Sequence, residues 1–197
     1  MRPHKSAILM LGMQSDHYAA NAPLRDMVES PQRIDAALEK AMDTAESLGH
    51  EALVIHVPIQ FSPDYREITQ EVGTLAAIKQ LGLFQAGEPG ACTIPDLDQL
   101  SCTVETIQGR TGFNAFRGTG LDTLLARHGI RTILMMGASM AACIDSTART
   151  AYELGYEVII LEDCIVSRTS TEHDLYCTII LPQYATVTRA DRYLGKA

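Results

Sequence analysis

Four short, mainly apolar runs constrain this chain more than any other feature. They are Ala7 to Met13, Ala52 to Val57, Thr132 to Met136 and Val158 to Leu161. None alternates strictly between apolar and polar residues, so each reads as a strand covered on both faces, the habit of a parallel sheet. Helical patterns lie between them. Ser30-Pro31 opens one, with Ser as N-cap and Pro at the first helical position. Ile34, Ala37, Leu38, Ala41, Met42, Ala45 and Leu48 then recur on one face up to Gly49. Thr74 to Leu81 reads as a short helix, Gly87 to Pro95 as a loop, and Cys102 to Ile107 as a short strand. Thr119 with Asp122 resembles a capping box for a helix that ends at His128-Gly129. A helix from Ala142 to Leu154 stops at Gly155. Ser170 or Thr171 caps a last helix through about Leu181, and Ala185 to Thr188 closes as a strand. Strand and helix alternate, so the expected fold is a doubly wound α/β sheet.

Such sheets bind ligands beyond the carboxyl ends of their strands, at the point where strand order reverses. Gly12, His56, Arg110 and Cys143 each follow or end a strand and are the positions to examine. Gln14, Asn114 and Phe116 lie close to them in sequence and are pocket candidates. Cys143 stands out. It follows the strand Thr132 to Met136 through a turn of small residues, at the mouth of a helix. That placement lets backbone N–H groups face a substrate and favours a thiolate.

Composition narrows the classes. At 197 residues and 46% hydrophobic, the chain suits one domain spanning 1–197. A net charge of -8 without a basic stripe argues against nucleic acid. No apolar run approaches the length of a membrane span. The start, MRPHKSAILMLGM, leads into Gln14, Ser15 and Asp16 rather than a cleavage site, so no signal peptide is expected. The five cysteines are odd in number and lack a CxxC, which suits reduced thiols in the cytoplasm. Cys92, Cys102, Cys164 and Cys177 read as packing residues, and Asp163 as a residue that satisfies backbone after its strand.

Three stretches resemble the isochorismatase-like cysteine hydrolases. LGMQSDHY is similar to that family's D-M-Q-N-D-F. GRTGFNAFRGTGLDTLLARHGI is similar to its K-x-x-x-S-A-F followed by G-T-x-L and a helix. MMGASMAACIDSTARTAYELGYEVIILEDC is similar to its G-x-x-T-x-x-C-V, helix, Gly-Tyr and strand ending in Asp. They stand in the family's order. The resemblance implies a three-layer Rossmann-like fold with a six-stranded, mostly parallel sheet and helices on both faces. It also implies a small-molecule substrate and a homo-oligomer, a dimer or tetramer. By position Cys143 matches the nucleophile, Arg110 stands at the Lys and Gly12 at the Asp. The backbone N–H groups of Ser139 and Cys143 match the oxyanion hole. A cis peptide bond, frequent there in the family, would fall between Ala138 and Ser139.

Two departures follow. Gly12 has no side chain to move a proton, and loss of such help costs about 10²–10⁴ in rate. Arg110 keeps a positive charge but does not exchange protons. Asp16 lies four positions on, roughly 13 Å along an extended strand, and reaches the site only if the chain turns sharply after Gln14. His56 is the preferred surrogate base, with His173 a second option. The D-x-H of metal-dependent relatives is absent from HVPIQFSPDY, so no metal and no cofactor are expected. The leading expectation is a divergent cysteine hydrolase acting on an amide-like C–N bond or related electrophile. The rivals are a non-hydrolytic thiol-dependent enzyme and a catalytically inactive binding or scaffold protein.

Overall fold

The computed structural model describes residues 6–196. The basic start of the N-terminal stretch, on which the signal-peptide reading partly rests, lies outside the described residues.

Six strands form one all-parallel sheet: β1 (Ser6–Leu11), β2 (Leu53–Val57), β3 (Val104–Thr106), β4 (Thr132–Ala138), β5 (Glu157–Val166) and β6 (Thr186–Thr188), in the order β3-β2-β1-β4-β5-β6. The helices are α1 (Ser15–Tyr18), α2 (Gln32–Leu48), α3 (Gly73–Gln80), α4 (Leu121–Arg127), α5 (Asp145–Glu153), α6 (Ser170–Leu175) and α7 (Ala190–Tyr193). Side chains alternate across each strand, and in the inner strands β1, β2 and β4 both faces are buried. Ala7, Leu9, Leu11, Ile55, Val57, Ile133 and Met135 share a core with Ile78 of α3, Leu121 and Leu125 of α4, and Ala148 and Ala151 of α5. Ile8, Met10, Val54, Leu134, Met136 and Ile159 pack with Ile34, Ala37, Ala41 and Ala45 of α2 and Ala190 of α7. Full burial of each large aliphatic side chain is worth about 1.5–3 kcal/mol. This two-sided burial is why the strands read as unbroken apolar runs. Among the described residues no helix is long and apolar enough to cross a membrane.

Strand order reverses between β1 and β4, so their carboxyl ends open the crevice that a doubly wound sheet uses for ligands. The two strands are also in unusually close contact. The β4–β5 register shifts between Met135 and Gly137. Gly137 has φ +118°, and a Cβ there would overlap the Leu11 carbonyl oxygen.

Several boundaries differ from the sequence reading. The last helix does not run unbroken to Leu181: α6 gives way to a π turn, Tyr176–Ile180, and a 3-10 turn, Leu181–Gln183. Its cap is Thr169, whose hydroxyl accepts the Glu172 N–H at 3.0 Å. β5 continues past Asp163 to Val166, because the register shift lets its second half pair with Gly137 and Ala138. Ser30 does not cap α2; its hydroxyl donates to Gln32 Oε1. The Thr119–Asp122 box does not close, since Asp122 accepts instead from the Tyr156 hydroxyl at 2.8 Å. Asp163 Oδ1 accepts the Ala190 N–H at 2.8 Å, a backbone-satisfying role.

Candidate active site

The β4 strand delivers the chain to the crevice through a cis peptide bond between Ala138 and Ser139. One π turn, Met140–Ile144, then leads into α5. This places Cys143, 3% exposed, on the wall of a cavity of about 440 Å³. Ser139, Ala141, Ala142, Val166 and Ser167 line the same wall. The Cys143 N–H donates to the Ser139 carbonyl at 3.0 Å, and the Ile144 N–H reaches the same oxygen at 3.1 Å. The Cys143 amide is therefore engaged inside its own turn and is open to an oxyanion only as a shared donor.

The second side of the cavity comes from the turn after β1. Gly12 has φ +67°, and a Cβ on it would lie 2.7 Å from the Ala138 carbonyl oxygen. The same Cβ would lie 3.1 Å from both Cδ2 and Nε2 of His17. The imidazole edge thus abuts the space a side chain at position 12 would enter. The chain does turn sharply after Gln14, into α1, and it is His17 rather than Asp16 that lines the cavity. Asp16 is committed elsewhere: its Oδ2 accepts the Phe84 N–H at 2.6 Å. That bond fixes Phe84, whose ring packs on His17 with centroids 5.0 Å apart. His17 Nε2 is buried and has no hydrogen-bond partner among the described residues. Burial, and secondarily the Arg110 charge, pushes the imidazole down to about 3, so it is neutral at pH 7.

Arg110 is 0% exposed and stands outside the cavity lining. Its Nε donates to Gly112 O at 2.9 Å, Nη1 to Val57 O at 2.9 Å and Nη2 to Phe113 O at 2.5 Å. Among the described residues no carboxylate pairs with it at ion-pair distance. The guanidinium folds the loop after β3 against the end of β2 and sets Phe113 into the cavity wall. Thr147 accepts the Ala115 N–H at 3.0 Å and strengthens the same loop.

The other positions read from sequence are placed as follows. His56 is fully buried in β2, outside the lining, with neither ring nitrogen partnered among the described residues. Burial first, and Arg110 second, holds it down at about 4. Gln14 is a clasp: Nε2 donates to Ile59 O at 2.8 Å and Ala91 O at 2.9 Å, while Oε1 accepts the Ile59 N–H at 2.8 Å. Asn114 donates to Thr150 Oγ1 at 2.6 Å, and the Phe116 ring stacks on Tyr156. None of these three lines the cavity. Its remaining walls come from Leu24, Met27 and Val28, from Thr74, Ala77 and Ile78, and from Arg168 and Glu172.

One group beside the cavity has metal-ligand chemistry. Glu162, His173 and Cys177 each bring a donor atom within 4.8 Å of the others. Burial, reinforced by Glu162, pushes the Cys177 thiol up to about 12, which keeps it protonated. His173 Nδ1 meets Ser167 Oγ at 3.2 Å, and its Nε2 meets Cys177 Sγ at 3.6 Å. Ser167, His173 and Cys177 therefore form a neutral hydrogen-bonded chain.

A parallel sheet with a cysteine at its switch point, behind a cis peptide bond and on the wall of a cavity, defines an α/β protein with a buried thiol site. The family described as Isochorismatase domain matches residues 6–192, and the chain belongs to it. At the coarse level this makes it an isochorismatase-family hydrolase. The "Uncharacterized isochorismatase family protein YecD" of Escherichia coli O157:H7 is 33% identical over 143 residues, 72% of each chain. A maleamate amidohydrolase of Pseudomonas putida is 25% identical and covers 95% of this chain and 84% of its own. The crystal structure of an isochorismatase family protein from Desulfovibrio vulgaris superposes with a TM-score of 0.78 at 24% identity, covering 98% of this chain and 99% of that one. It shares the six-stranded fold.

Sequence reading missed His17. It stands at the Phe of the D-M-Q-N-D-F pattern, five positions beyond the Gly that replaces the Asp. The signal was there as a pair of departures in one motif, one losing a side chain and the other gaining a titratable one.

Proposed function

We propose that this protein is a cysteine hydrolase acting on an amide-like C–N bond of a small, largely apolar molecule. The observation that carries the reading is Cys143 on the wall of the cavity between the ends of β1 and β4. A volume of about 440 Å³ suits a metabolite-sized ligand. Leu24, Val28, Ile78, Phe84 and Phe113 favour an apolar or planar substrate body. The likeness to a maleamate amidohydrolase supports an amide as the bond cleaved. In this reading Cys143 Sγ attacks the carbonyl carbon, and the Ser139 N–H, with the Cys143 N–H as a shared donor, steadies the oxyanion. Arg110, a buried cation with no carboxylate partner among the described residues, is assigned electrostatic support of the charge that develops on the oxyanion.

The test is Cys143→Ala against a panel of primary amides and carbamoyl compounds, with products identified by mass. Turnover is expected to fall at least about 10³-fold, as for loss of a nucleophile. A variant that hydrolyses as well as the parent overturns the reading. Glycine at position 12 gives weight to a second reading, a non-hydrolytic thiol-dependent reaction in the same cavity. A product that has not gained the elements of water would favour it.

A further inference from the structure

We propose that His17 is the proton-transfer group of the Cys143 site, its ring edge filling the place where a side chain at position 12 would begin. The inference rests on the hydrolase reading above and names the residue that completes it. Three observations carry it. The imidazole edge lies 3.1 Å from where a Cβ on Gly12 would be. His17 and Cys143 line one cavity. His17 Nε2 is buried with no hydrogen-bond partner among the described residues, and the Phe84 ring packs on the imidazole at an interplanar angle of 44°. A buried imidazole nitrogen normally finds a partner, so one left unpaired on a residue that lines the thiol cavity is available to a reacting group.

The competing groups are placed elsewhere. Asp16 is bound to the Phe84 amide, His56 is outside the lining, and His173 is taken up by Ser167 and Cys177. Glu172 lines the cavity, but its carboxylate is held by Arg168, with Nε at 2.9 Å and the backbone N–H at 3.1 Å. Arg110 is the charge that faces His17 from the loop after β3.

The chemistry balances with one mobile proton. Neutral His17 Nε2 takes the proton from Cys143 Sγ as sulfur bonds to the substrate carbonyl carbon. The imidazolium then gives that proton to the leaving nitrogen as the C–N bond breaks, and the amine departs, leaving a thioester on Cys143. His17 next takes a proton from water as its oxygen attacks the thioester carbon. The C–S bond breaks, the acid is released, and the proton returns to sulfur. Sulfur and nitrogen need not touch beforehand, because a substrate group or a single water can span them.

The test uses p-nitrophenyl acetate at pH 8 on the full chain. This leaving group departs without a proton, so acylation and deacylation separate. The parent is expected to release p-nitrophenolate and return to its unmodified mass. His17→Phe, which keeps an aromatic ring there, is expected to hold an acetyl group on Cys143, with deacylation slowed about 10²–10⁴-fold. His17→Gln is expected to behave alike, and decides the matter if the Phe variant does not fold. In the parent, deacylation is expected to stay level from pH 8 to below 6.5. A deacylation rate that falls tenfold per pH unit over that range means hydroxide, not His17, does the work, and overturns the proposal without any variant. His17 variants that turn over like the parent, while Cys143→Ala is inert, overturn the His17 assignment alone. Full turnover by Cys143→Ala, or a parent that is never acylated, overturns the hydrolase reading and this inference together.

Discussion

Replacing His56 with Leu separates a buried structural histidine from a reactive one. His56 is 0% exposed and leaves both ring nitrogens without a partner among the described residues. Burial and Arg110 hold its pKa at about 4 in the folded chain, whereas in the unfolded chain it titrates near the ordinary value of about 6.5. Between those values the unfolded chain binds more protons, so stability rises with pH and is lost as pH falls through the window. At 1.36 kcal/mol per unit, the folded state gives up about 2 kcal/mol from this group between pH 8 and pH 5. His17, held at about 3, adds about 2 kcal/mol over the same range. Urea unfolding at pH 8, 7, 6 and 5, followed by circular dichroism, is the assay. The parent is expected to lose about 2 kcal/mol more than His56→Leu between the ends of that range, because the difference cancels every unchanged group. At pH 8 the variant is expected to be more stable by about 1–3 kcal/mol, since two orphaned polar atoms are removed. Parallel stability–pH curves would refute the neutral-burial argument. A variant clearly weaker at pH 8 would show that the ring nitrogens are satisfied.

Two further substitutions test the scaffold of the site. Arg110→Lys cannot reproduce a fork that spans Gly112, Val57 and Phe113 carbonyls; it is expected to cost about 2–5 kcal/mol in urea unfolding, and a neutral result would mean the charge alone matters. Gly12→Ala places a Cβ 2.7 Å from the Ala138 oxygen at φ +67°. It is expected to lose at least about 2 kcal/mol, and an unchanged melting temperature would show that the turn relaxes easily.

The strands and the thiol turn were legible because their signals are local. Unbroken apolar runs such as Ile133 to Met136 can be buried only between two layers of helices, and the small residues Gly137, Ala138, Ser139, Ala141 and Ala142 mark a tight turn. The register shift at Gly137 was not legible, since it belongs to the pairing of β4 with β5, and the contact with Leu11 that leaves no room for a side chain there comes from a strand far away in sequence. Arg110 illustrates a different limit. Its residue type announces a charge, but five donors can be aimed in many directions, and only the folded loop shows three of them spent on carbonyls. His17 was hidden because Gln14 to Glu29 carries no clear periodicity. Four residues of α1 are enough to swing its ring into the crevice.

The close approach of Gly137 to Leu11 divides the molecule's tolerance for change. The ends of β1 and β4 are riveted together, with no room for even a methyl group between them, so the turns that lead to His17 and to Cys143 leave the sheet from one joined edge. The facing wall, from Leu24 to Val28 and from Gly73 to Ile78, belongs to segments outside the sheet. Exchanging those two segments between relatives should retarget the cavity to new molecules, while variation along the joined edge would break the machine before it changed its diet.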